Sequence, residues 1–353
     1  MDGLIVNVLK IFALGTLGFA LAFFLTPSLT HFLYKKRLWK KEIREKSIDG
    51  KDLPYFKKFK SKIKRNIPRF GGLLIWGTTL ILAFFFFLLG KITDVRWLDK
   101  LNFLSRSQTW LPLFALVSAS LVGFFDDILV VFGKGKYIGG GLKLRYRLIL
   151  MALIGLIGGW WFYSKLGFST IHIPGNGDIF FGFWYIPLFV FVMMATYSGG
   201  VVDGLDGLAG GIFAVIFGAF AGIALFRGQI DLAAFCTVLT GTILAFLWFN
   251  IPPARFFMGE TGMMGLCAAL TVVAFLTDSI LVLPIIAFLL VIESLSVIIQ
   301  LLSKKLFKKK VFLAAPIHYH FEAKGWPHYK VTMRFWVVGI VMAIIGVAIR
   351  LLG

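Results

Sequence analysis

Apolar stretches, most of them about twenty residues long, recur along the whole chain, separated by short polar or charged segments. They lie near residues 4–33, 70–90, 109–131, 145–164, 184–202, 205–226, 231–249, 262–277, 280–302 and 332–352. At ~1.5 Å per residue, helices of this length cross a hydrocarbon layer ~30 Å thick. The pattern predicts an all-α, polytopic integral membrane protein with about ten transmembrane helices. The eighth run is short, and only glycines separate the fifth from the sixth.

Composition points the same way. Of 353 residues 59% are hydrophobic and 15% charged, with a mean hydropathy of +0.87, against roughly 45–50% and 25% in soluble domains. A water-soluble protein is excluded. No fixed-period repeat, low-complexity linker or soluble insert interrupts the pattern, so residues 1–353 read as a single transmembrane domain. The first run continues from Leu4 past Pro27 to Leu33 without a small-residue cleavage site, which predicts a retained helix rather than a signal peptide. Cys236 and Cys267 sit inside apolar runs, without metal-ligand spacing or a disulfide framework, and read as packing residues.

The 37 Lys and Arg outnumber 17 Asp and Glu, giving a net charge of +20. On a soluble chain that excess would suggest nucleic acid. Here it reads instead as basic loops held at an anionic leaflet, with no nucleic-acid partner. The 34–67 loop holds 14 basic residues, the 132–147 segment five and the 303–331 loop seven. The intervening loops carry only Lys91, Arg96, Lys100, Arg106, Lys165 and Arg227. The positive-inside rule therefore puts the first set in the cytoplasm of a multi-pass protein of the cell membrane, with both termini outside.

On that topology the remaining polar clusters all reach the cytoplasmic face: Asp126-Asp127, Asp203 to Asp206, Asn250 to Glu260, and His318 to His328. One assembled site is the economical expectation. Two carboxylates flanked by hydrocarbon, Asp126 and Asp127, need a cation or a proton to offset their burial; the plain alternative is a helix-end pair reaching for water. Asp203 and Asp206 lie three apart among glycines, which let a backbone approach a ligand closely, and a helix starting there would present its N–H groups to an anion. Small residues also serve helix packing in membranes. Pro252 and Pro253 break the helix before Glu260, which reads as an exposed ligand for a hard cation or as a simple charged turn. Glu293 is intramembrane, so it is either functional or a tie between helices. His318, His320 and His328 sit among lysines, where imidazoles contact phosphate, bind metal, move protons or are merely solvated. Acids, glycine-lined turns, cations and histidines at one membrane face suit metal-assisted phosphoryl transfer from a soluble nucleotide to a lipid.

At these residues the chain resembles the polyprenyl-phosphate N-acetylhexosamine-1-phosphate transferase superfamily, and within it the phospho-N-acetylmuramoyl-pentapeptide transferase family. The motifs run in order through most of the chain: PRFGG (68–72), FFDD (124–127), GLKLRYRL (141–148), DGLDGLAGG (203–211), FNIPPARFFMGETG (249–262), PIHYHFEAKGW (316–326) and VTMRFW (331–336). The resemblance implies transfer of phospho-MurNAc-pentapeptide from UDP-MurNAc-pentapeptide to undecaprenyl phosphate, giving lipid I and UMP with Mg²⁺, in cell-wall peptidoglycan synthesis. It assigns Asp126, Asp127, His318 and His320 to catalysis, with Asp126 as the base for the lipid phosphate. Asp203, Asp206 (near the uracil), Asn250, Phe257 and Arg147 would bind substrate, and Glu260, Asp127 and Asp203 would bind metal.

Four features, at five positions, depart from the family pattern. Glu260 stands where the family has Asp, Tyr197 and Gly200 replace asparagines, Tyr319 replaces the middle histidine, and Arg69 within PRFGG is closer to the branch that transfers simpler N-acetylhexosamine phosphates. A UDP-GlcNAc-dependent relative is the nearest rival, and a lipid-linked-sugar transporter a more distant one. Lipid-facing and protein-facing helix surfaces are not separable from the pattern, so monomer and homodimer both stay open.

Overall fold

The structure is a computed structural model that describes residues 2–39, 66–92, 100–105, 107–134 and 140–353. Most of the basic 34–67 loop, and Lys136, lie outside the described residues. The helices are α1 (Asp2–Lys35), α2 (Gly72–Ile92), α3 (Trp110–Val131), α4 (Leu144–Lys165), α5 (Tyr185–Ser198), α6 (Leu208–Phe226), α7 (Ile230–Asn250), α8 (Gly259–Leu276), the single turn α9 (Leu283–Ile286), α10 (Phe288–Leu306), the short α11 (Ile317–Ala323) and α12 (His328–Leu352). In hydrocarbon each backbone N–H and C=O must be satisfied within its own segment, which is why the apolar runs become helices. Among the described residues nine helical segments are long and apolar enough to cross a membrane. The predicted run 280–302 becomes α9 and α10, and α10 carries Glu293, Lys304 and Lys305.

Helix α8 is the centre of the bundle. Every residue from Thr261 to Leu276 is buried, whereas α1, α4 and α12 expose apolar flanks such as Phe12, Leu153 and Val337. Small residues make the centre possible. A Cβ on Gly265 would run into Ser120 of α3, one on Gly262 into Met258 and Gly72, and one on Gly123 into the Glu260 carbonyl. Glycine at these crossings lets α2, α3 and α8 approach backbone to backbone.

One element falls outside the helical pattern. Residues Thr170–Ile173 (β1) and Gly177–Phe180 (β2) form an antiparallel hairpin in the register Thr170↔Phe180 to Ile173↔Gly177. It sits with the carboxyl end of α12, since His172 Nε2 is 2.8 Å from the Gly353 carbonyl oxygen. The start of α1 lies on the same face, where Lys10 reaches Asp231 at 2.8 Å and the Asn102 carbonyl at 2.9 Å. All four polar clusters gather at the opposite face, the site face.

Candidate active site

The site begins with the PRFGG segment. It lies against the loop before α8: the Phe257 N–H donates to the Pro68 carbonyl at 2.9 Å, and the Gly71 and Gly72 N–H groups donate to the Phe257 and Met258 carbonyls at 2.8 Å. Gly71 must be glycine, because a Cβ there would come within 2.7 Å of Phe246, Phe256 and Phe257. This pairing fixes Arg69, whose Nε donates to Asp127 Oδ1 at 2.9 Å. Burial pulls the Arg69 pKa down, but Asp127, Asp203 and Glu260 outweigh it and the net shift is upward. The guanidinium stays charged.

Three acids converge on the first turn of α8. Asp127 is fully buried, and its Oδ2 accepts from the Thr261 N–H at 2.9 Å. Asp203 Oδ2 accepts from the Gly259 N–H at 3.1 Å. Glu260 belongs to that turn itself. The N–H groups of a first turn have no partner within the helix, and the helix dipole is positive there, so carboxylates are favoured. The predicted helix start at 262 was three residues late: α8 opens at Gly259 with φ +73°, so Glu260 is helical rather than part of a preceding turn. A Cβ at Gly259 would strike Asp127 Oδ2.

Arg147, at the start of α4, bridges the remaining acids. Its Nη1 pairs with Glu260 Oε1 and lies 3.9 Å from Asp126 Oδ2. Asp126 Oδ1 is held by the Leu142 N–H at 2.6 Å. The Tyr197 hydroxyl is 3.4 Å from Glu260 Oε2. Two of the departures from the family pattern, Glu260 and Tyr197, therefore meet each other, and the longer glutamate reaches both Tyr197 and Arg147.

The 203–207 turn is tied down on several sides. Asp206 Oδ2 accepts from the Ala254 N–H at 3.1 Å. Asn250, buried, accepts from the Gly207 N–H at 3.0 Å and donates to the Phe256 carbonyl at 2.8 Å, which locks the two loops together. From α12, Thr332 Oγ1 and Trp336 Nε1 donate to the Asp206 and Gly207 carbonyls, each at 3.2 Å. Phe257 is half-buried beside this turn's partner loop.

The histidines separate. His318 is fully buried, with Nδ1 2.8 Å from Glu293 Oε2. Tyr319 donates its hydroxyl to the Gly204 carbonyl at 3.1 Å; burial first, and then Glu322 and Asp203, push its pKa up, so it remains a donor. His320 points away, because residues two apart on a helix project ~200° apart. Its Nδ1 accepts from the Leu313 N–H at 3.1 Å, and desolvation and then Lys324 lower its pKa. His318 therefore lies between Glu293 and the 203–207 turn, and His320 faces the loop at Leu313.

Arg69, Tyr197, Thr332 and Trp336 are site residues that the motif reading did not assign. Arg69, Thr332 and Trp336 lie inside motifs already singled out; only the departure at Tyr197 marked that position.

Around the first turn of α8 four carboxylates (Asp126, Asp127, Asp203 and Glu260) face two guanidinium groups, Arg69 and Arg147, and Asp206 lies in the neighbouring turn. The excess is negative and the donors are hard oxygens, which fits Mg²⁺. A carboxylate oxygen that accepts one hydrogen bond keeps a further lone pair, so the arginine contacts do not disqualify Asp127 or Glu260. Among the described residues the one set of three ligand atoms within 4.8 Å of one another is His172, Asp178 and Asp278, at the far face. There both His172 nitrogens already meet Asp178 and Gly353. The more open set at α8 suits an ion that keeps water and substrate oxygens in its shell.

The fold is that of a multi-pass membrane protein, and residues 109–278, which carry Asp126 through Glu260, match the family model described as Glycosyl transferase family 4, which makes it a membrane transferase. Similar proteins include the phospho-N-acetylmuramoyl-pentapeptide-transferase of Geobacillus sp. (strain WCH70), 41% identical over 246 residues covering 69% of this chain and 75% of that protein. Those of Lactiplantibacillus plantarum and Bacillus velezensis are each 34% identical, over 94% and 95% of this chain and 95% and 96% of theirs. The chain belongs to the phospho-N-acetylmuramoyl-pentapeptide-transferase family.

Proposed function

We propose that the chain transfers phospho-MurNAc-pentapeptide from UDP-MurNAc-pentapeptide to undecaprenyl phosphate, forming lipid I and UMP, at a site facing the cytoplasm. The observation that carries this reading is the meeting of Asp127, Asp203 and Glu260 at the first turn of α8, with Arg69 and Arg147 beside them. A phosphate oxygen of the lipid attacks the phosphorus that bears the sugar. A new P–O–P bond forms, the bond to the other phosphate breaks, and UMP leaves with that electron pair.

Asp126, oriented by the Leu142 N–H, takes the proton of the lipid phosphate. The arginine forks hold phosphate oxygens in line while keeping the carboxylates from repelling them. Asp127, Asp203 and Glu260 are the residues that would hold Mg²⁺, which when bound supplies charge neutralisation for the diphosphate. The nucleotide turn at 203–207, braced by Asn250, Thr332 and Trp336, places the donor. Sidedness follows from charge: the site face carries the described ends of the basic 34–67 and 132–147 segments and the basic 303–331 segment, which favours the cytoplasm and leaves both termini outside.

The test is the mass of the lipid product made by purified protein with undecaprenyl phosphate, Mg²⁺ and either UDP-MurNAc-pentapeptide or UDP-GlcNAc. Lipid I from the first donor is expected. Turnover of UDP-GlcNAc alone would overturn the specificity, and no lipid-linked product from either would overturn the whole reading.

A further inference from the structure

Helix α10 carries a polar stripe through the bundle: Glu293, Ser296, Gln300 and Ser303 recur at helical spacing and all are buried. Most of the stripe has an evident architectural task. Gln300 Oε1 accepts from the Val311 and Phe312 N–H groups at 3.1 and 2.9 Å, its Nε2 donates to the Phe312 carbonyl at 3.0 Å, and Ser303 donates to the Lys309 carbonyl at 3.0 Å. These bonds hold the loop that leads into α11.

Glu293 differs. It and His318 are both 0% exposed, and the bond between them, Nδ1 to Oε2 at 2.8 Å, leaves Glu293 Oε1 and His318 Nε2 without a hydrogen-bond partner among the described residues. A buried polar atom left unpaired is costly and calls for a partner outside the resting protein. His318 Nε2 stands where a Cβ on Gly204 would be, with the Tyr319 hydroxyl beside that point. Gly204 lies between Asp203 and Asp206, so Nε2 faces the nucleotide turn.

We propose that Glu293 is a positioning residue for the transfer: it fixes the His318 ring with Nδ1–H on its carboxylate and Nε2 directed at the Gly204 turn, where Nε2 meets a phosphate oxygen of the nucleotide donor. The inference rests on the functional reading above and adds Glu293 to it. A carboxylate on one imidazole nitrogen sets both the tautomer and the basicity of the other. Glycine at 204 is what lets Nε2 come this close to the turn.

A double-mutant cycle on the full-length protein tests this, with kcat, KM for donor and lipid, and thermal unfolding measured for the wild type, E293A, E293Q, H318A and E293A/H318A. E293A is expected to lower kcat about 100-fold with each KM changed less than about threefold. E293Q, which keeps an acceptor for Nδ1–H, should recover to within about tenfold of wild type. Because Glu293 acts through His318, the double variant should be no slower than H318A alone. Losses that multiply in the double variant, or an E293A rate within about threefold of wild type, would overturn the proposal. Should E293A fail to fold, E293Q replaces it in the cycle under the same criterion. A wild type inactive on both UDP-sugars would sink the functional reading and the inference with it, whereas an active wild type with a multiplicative cycle sinks the inference alone.

Discussion

Asp127 has both carboxylate oxygens committed inside the protein, one to Arg69 and one to the Thr261 N–H. Asn at this position keeps the size and an acceptor but loses the charge that faces Arg69, the proposed metal and the diphosphate. Asp127→Asn is expected to lower turnover at least about 100-fold, the scale of removing one electrostatic stabiliser, and also to lower the thermal unfolding midpoint, because its amide donor must face the Arg69 or Thr261 N–H. A rate near wild type in a steady-state assay would remove Asp127 from the chemistry. The acids were legible in the sequence because carboxylates at the ends of apolar runs are expensive to bury. Arg69 and Tyr197 were not, since a cation before a helix and an aromatic at a helix end are ordinary membrane-protein features until their partners are known. Asn250 was legible as a polar residue in the right loop, but its bonds to Gly207 and Phe256 give it a bracing task that no spacing reveals.

At the scale of elements, the site depends on how closely α3 crosses α8. Gly123 lies against the Glu260 carbonyl and the Thr261 nitrogen, so an added methyl would push the acidic pair of α3 away from the first turn of α8. Gly123→Ala is expected to cost about 1–3 kcal/mol, as overpacking does, and to lower activity in parallel. Gly218→Ala in α6, where nothing lies within 4 Å of the new Cβ, should be neutral or gain up to about 1 kcal/mol from helix propensity. Thermal unfolding of both variants in one detergent checks the contrast; equal midpoints would mean that the crossing is not tight. Hydrophobic runs predicted the long helices well because length and apolarity are what the bilayer demands. The hairpin at 170–180 escaped that reading, since its strands are four residues each and its signal is only the Pro174-Gly175-Asn176-Gly177 turn, with φ near +77° and +79° at the glycines.

Across the whole molecule, the polar chemistry is confined to one face and the hairpin, Lys10–Asp231 and the end of α12 to the other. Cys236 and Cys267 are buried and unbridged, so introduced cysteines can report sidedness with little background. Asn176→Cys in the hairpin should react with an impermeant maleimide on intact cells, and Lys308→Cys only after permeabilisation; the reverse pattern would invert the topology. The central claim concerns the bond that breaks, and the nucleotide product reports it. With UDP-MurNAc-pentapeptide, Mg²⁺ and undecaprenyl phosphate, purified protein should release UMP in step with lipid-linked product and release none when the lipid is omitted. Release of UDP instead, or of UMP at the same rate without the lipid, would contradict the account.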